Sequence, residues 1–155
     1  MKTLLLLLPL FVCPSLAFTQ KQKLETTALH RIESRKGDTL SVFRITPVQP
    51  GRKLLDDHFY YWYRSDSIFQ TQGAVSGKVL HGEYAAYYPN KNLMESGKYV
   101  YGLKSGTWLT WRPNGQLHTK KEWKEGRLNG YSYEYDEKGA LINKQQYEAG
   151  NKITK

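Results

Sequence analysis

The chain has 155 residues, a formal charge of +9 and a single cysteine. That length suits one domain, and a lone cysteine excludes a disulfide framework. No P-loop, dinucleotide fingerprint, G-x-S-x-G or H-x-x-x-H spacing is present, so neither a catalytic site nor a cofactor or metal site is expected.

Residues 1–17 read as a secretory signal. Lys2 gives a positive start, the stretch from Leu4 to Val12 is apolar, and Ser15-Leu16-Ala17 is a small-x-small cleavage site. The apolar stretch is too short to span a membrane. Cleavage after Ala17 removes Cys13, and the exported chain of about 138 residues then has no thiol chemistry. Cys13 follows Leu10, Phe11 and Val12, which argues against a lipidated cysteine. The expected location is therefore the periplasm, the cell surface or the medium.

Residues 18–57 form an N-terminal capping segment with at least one strand. The stretch from Leu24 to Glu33 fits a strand or a short helix. Lys36-Gly37-Asp38 is a turn, and Thr39 to Ile45 is a strand stopped by Pro47. Two placements suit these residues: added strands at the open N-terminal sheet edge, or a cover over an apolar sheet face. His58 beside Asp56 and Asp57 is too weak a set for a metal and reads as surface.

From residue 82 onward a 24-residue phrase is repeated (82–105, 106–129, 130–155). Gly82, Gly106 and Gly130 open the copies. An aromatic follows (Tyr87, Trp111, Tyr135), then a leucine (Leu93, Leu117, Leu141). A second aromatic (Tyr99, Trp123, Tyr147) and a glycine (Gly102, Gly126, Gly150) complete each copy. Such a period means one supersecondary unit per copy, stacked on its neighbours. In the middle copy, Gly106 to Arg112 is strand-like, Pro113-Asn114-Gly115 is a turn, and Leu117 to Trp123 is a second strand. The stretch from Gly126 to Gly130 turns the chain into the next copy. Residues 58–81 read as a fourth, degenerate copy, with its first strand at Tyr60-Tyr61-Trp62-Tyr63 and its turn at Asp66-Ser67. The predicted fold is all-β: an elongated single antiparallel sheet of stacked β-hairpin repeats.

The two aromatic columns and the leucine share one parity within the repeat, so they are expected on one packed face. Tyr84 and Trp108 have the opposite parity. They are the candidate binding surface, since exposed Tyr and Trp favour interfaces and stack on sugar rings. The array from His58 onward carries 14 Lys/Arg against 9 Asp/Glu, well dispersed. That implies a solvated surface, with attraction to an anionic envelope polymer as the sharper alternative. Nucleic acid is not an expected partner, because no basic run exceeds two residues.

The stretch GTWLTWRPNGQL from Gly106 to Leu117, followed by Trp123 and the Gly126–Gly130 pair, resembles the MORN-repeat variant of bacterial proteins, often grouped as YwqK-type antitoxins. The resemblance covers residues 60–155. Ser132, Lys138 and Lys91 depart from its pattern. It implies stacked hairpins with a scaffold or binding role. The functional expectation is an exported, non-catalytic protein-binding or structural module of the cell envelope. Its partner is expected to be another protein. The alternatives are an antitoxin or immunity protein, and a binder of surface carbohydrate or anionic polymer. The export signal argues against neutralisation of a cytoplasmic toxin.

Overall fold

The computed structural model describes residues 29–48 and 53–154; residues 1–17, expected from the sequence to be a secretory signal, lie outside them. The described residues build one antiparallel sheet. Its strands are β1 (His30–Lys36), β2 (Thr39–Thr46), β3 (Phe59–Arg64), β4 (Ser67–Gln72), β5 (Lys78–Tyr87), β6 (Leu93–Val100), β7 (Leu103–Trp111), β8 (Leu117–Lys124), β9 (Arg127–Tyr135), β10 (Leu141–Glu148) and β11 (Asn151–Lys152). The path through the sheet is β1-β2-β5-β6-β7-β8-β9-β10-β11, and β3 and β4 lie off it. The path is about 40 Å long at about 4.8 Å per strand spacing.

Two kinds of turn alternate along the array, and local sequence sets both. Within each copy a five-residue connection closes with matching hydrogen bonds. The amides of Lys91, Gly115 and Gly139 donate to the carbonyls of Tyr88, Arg112 and Asp136. The same three residues have positive φ, 67°, 85° and 81°, which glycine adopts without steric cost and lysine does not. Between copies the turn is two residues long, at Tyr101-Gly102, Glu125-Gly126 and Ala149-Gly150, with φ positive at both positions. That geometry matches the twist of the flanking strands. Arg127 to Asn129 therefore already belong to β9, although the sequence suggests that they turn. The amides of Gly102, Gly126 and Gly150 donate to the carbonyls of Leu80, Lys104 and Leu128. These bonds tie each turn to the preceding one and set the 24-residue step.

The N-terminal segment answers one open question and revises another. β1 and β2 form a hairpin around Gly37-Asp38, and β2 pairs with β5 from Leu40↔Tyr87 to Thr46↔Val79. The strands of 30–46 thus extend the sheet edge. Residues 58–81 do fold as a hairpin, with its turn at Ser65-Asp66, but that hairpin does not take the place of a first repeat. β2 occupies the flank of β5 where such a repeat would stand. β3 meets β5 over only two pairs, Trp62↔Val79 and Tyr63↔Lys78. From there the hairpin crosses one face of the sheet. Its Tyr61 amide donates to the Gly102 carbonyl, and the Ser34 hydroxyl donates to the Asp66 carbonyl at 2.9 Å. The degenerate copy is a cover, and the N-terminal strands are the edge.

The hairpin closes the core. Phe43, Ile45, Leu80, Tyr99 and Trp108 are buried there, with Tyr61, Tyr63 and Ile68 packed against them. Tyr63 meets Phe43 edge-on at 5.4 Å, and Tyr61 meets Tyr99 at 5.0 Å.

Candidate binding surfaces

The parity argument fails at the turns. Gly106 lies opposite Trp123 and Trp108 opposite Lys121, so even residue numbers in one strand face odd ones in the next. Directly paired residues share a sheet face. Tyr84 and Trp108 therefore lie with Tyr99 and Trp123, while Tyr87, Trp111 and Tyr135 alternate to the opposite face. Trp108, expected exposed, is 2% exposed. Its ring stacks on Tyr84 at 5.6 Å and meets Tyr99 edge-on at 4.8 Å, and its Nε1 donates to the Lys98 carbonyl at 3.3 Å. Gly97 lies beneath it: a Cβ there would come 2.2 Å from Trp108 Cδ2. Tyr84 is half-buried. The two candidate residues come together, but as core and cleft wall rather than as an outer patch.

Between the hairpin and the sheet lies a cleft of about 380 Å³. Tyr61, Tyr84 and Tyr99 line it with Glu95 and Lys104, and Ser34, Thr39, Ser41 and Ser67 add hydroxyls. Lys104 Nζ donates to Glu95 Oε1 at 2.9 Å, with the two side chains 14% and 28% exposed. The same ammonium stands 3.8 Å from the Trp108 ring centroid and 5.4 Å from that of Trp123, where the ring quadrupoles attract it. Burial raises the Tyr99 phenol well above the ordinary tyrosine range, and Tyr61, Glu95 and Tyr84 add to the shift. Burial and then Glu95 raise Tyr61 as well. Burial also raises Tyr84, against the lowering effect of its hydrogen bond with Ser41. All three phenols are therefore O–H donors at neutral pH.

Sequence reasoning singled out neither Glu95 nor Lys104. The 24-residue column of Lys104 holds Leu80 and Leu128 but also Lys152, so leucine and lysine alternate there and the sequence alone does not set Lys104 apart.

Among the described residues, nothing covers the opposite face in this way. One unbroken row of cross-strand neighbours runs over eight strands, from Lys144 through Tyr133, Lys120 and Leu109 to Ser96, Ala85, Val42 and Glu33. At its C-terminal end Lys144 Nζ lies 4.5 Å from the Tyr131 ring centroid and 5.6 Å from that of Tyr133, and Lys120 lies 5.8 Å from Tyr133. Tyr131 is 36% exposed. The face mixes cations with amphipathic rings and suits contact with a macromolecule. Among the described residues, no group of three or more His, Cys, Asp or Glu could hold a metal ion. No helix there is long and apolar enough to cross a membrane.

No protein-family profile, curated protein or solved structure matches the chain.

Proposed function

We propose that this chain is an exported, non-catalytic β-repeat protein of the MORN-variant kind, acting in a bacterial envelope as a protein-binding or structural module. One observation carries the reading: among the described residues, the β3–β4 hairpin covers one sheet face and the other stays bare across eight strands. A continuous ladder fixes the spacing of that bare row, so a partner meets a preorganised surface and little ordering entropy opposes association. The 24-residue recurrence of both turn types is what a MORN-like array requires. The signal segment supports export.

The test is a cross-linked pull-down from native envelope, with the parent chain beside a Tyr133→Ala/Lys144→Ala variant. Both substitutions lie on the bare face and outside the buried core. A protein recovered by the parent and lost by the variant supports the reading. Equal recovery by both, or no specific protein from either, counts against it.

A further inference from the structure

The cleft under the hairpin has chemistry of its own, on the opposite side of the sheet from the proposed docking face. Glu95 and Lys104 contact each other through one hydrogen bond. A carboxylate has about four acceptor sites and an ammonium three donors, so most of their capacity remains for something else in the cleft. Their charges cancel, and so do those of Lys36 and Asp66, which also line it. A net-neutral site gives an ionic ligand no overall attraction to offset the loss of its hydration. A neutral ligand rich in hydroxyls loses less and finds both donors and acceptors. The rings of Tyr61, Tyr84 and Tyr99 supply apolar surface for its C–H groups, and their hydroxyls supply further partners. The volume lies near the lower end of small-ligand pockets, which suits one or two sugar rings.

We propose that the cleft between the β3–β4 hairpin and the sheet is a binding site for a small neutral sugar, with the Glu95–Lys104 pair and the Tyr61, Tyr84 and Tyr99 hydroxyls as its polar contacts. The hairpin, set aside from the repeat stack, forms one wall of this site. Lys104 supplies the charge that balances the Glu95 carboxylate within the cleft.

The protein expressed from its full sequence, labelled with nitrogen-15, is titrated with glucose, galactose, mannose and N-acetylglucosamine, and with glucuronate as a charged comparison. The expected result is a saturable response to at least one neutral sugar, centred on the amides of Ser67, Tyr84, Glu95 and Lys104. Glucuronate should bind more weakly. Tyr84→Phe keeps the ring and removes one hydroxyl, and should weaken binding about five-fold, the effect of one neutral hydrogen bond. Glu95→Gln should weaken it further. The proposal is overturned if no neutral sugar saturates, if the shifts map to Tyr133 and Lys144, or if glucuronate binds better. Binding unchanged in both variants overturns it too.

Discussion

Gly97→Ala tests the core most directly. Gly97 is not among the glycines with positive φ, so the substitution adds a methyl group without left-handed strain. The added carbon would lie 2.2 Å from Trp108 Cδ2 and 2.3 Å from Cε2, where ordinary contact begins at 3.4 Å. The ring must move by roughly 1 Å or more, and Tyr84 and Tyr99 pack closely against it. Overpacking of a filled core costs about 1–3 kcal/mol, and complete loss of a buried Trp about 3–5. A loss of about 2–3 kcal/mol is expected, since the ring is displaced but not deleted. For a domain of this size that is roughly a 10 °C fall in Tm. Urea unfolding followed by far-UV circular dichroism gives the value. The decisive control is the same substitution in a Trp108→Leu background, where the clash partner is gone. There the cost of Gly97→Ala should fall below about 1 kcal/mol, a coupling typical of residues in contact. An equal cost in both backgrounds, or a cost under about 0.5 kcal/mol in the parent, would refute the reasoning.

Two further outcomes follow from the turns and the loop before β3. Lys91 holds φ at 67° where its counterparts Gly115 and Gly139 are glycines. Lys91→Gly should therefore stabilise the chain by about 0.5–1 kcal/mol, the relief of left-handed strain less the added freedom of the unfolded chain; a lower urea midpoint would count against this. Asp57 accepts from His58 Nδ1 at 2.6 Å and pairs with Arg127 of the middle copy. The His58 hydrogen bond, with a smaller contribution from Arg127, holds the carboxyl below its ordinary range. Its folded pKa is depressed, so its contribution is complete above the ordinary carboxylate pKa of about 4 and is lost as pH falls through the folded value. Asp57→Asn should flatten the acid limb of the stability profile below about pH 5. An unaltered acid limb would show that the contact contributes nothing.

Much of the fold was legible because it is local. The 24-residue period, the strand from Thr39 to Ile45, the Gly37 turn and the glycines at 115, 126 and 150 all depend on φ preference and side-chain alternation within a few residues. The candidate site was less legible. Tyr84 and Trp108 were expected on an exposed face and lie instead in the core and cleft wall, because alternation holds along a strand and is reset at each turn. His118 is the extra residue in the pairing shift between Thr110↔Thr119 and Trp111↔Leu117, and such one-residue offsets set which columns meet. Glu95 and Lys104 come from different strands and become a pair only through the β6–β7 register.

The sequence by itself therefore determined a repeating antiparallel hairpin array, its step and its turns, because these follow from backbone sterics acting over a few residues. Tertiary structure decided which strand flanks β5, which sheet face is buried and where the cleft lies. The strip of Tyr84, Tyr99 and Trp108 needed an apolar cover, and both the β1–β2 and β3–β4 hairpins were long enough to supply one. Only β2 pairs with β5 along nearly its whole length. That satisfies the backbone of the edge strand and leaves the shorter, more aromatic β3–β4 hairpin to fold over the face and bury its rings.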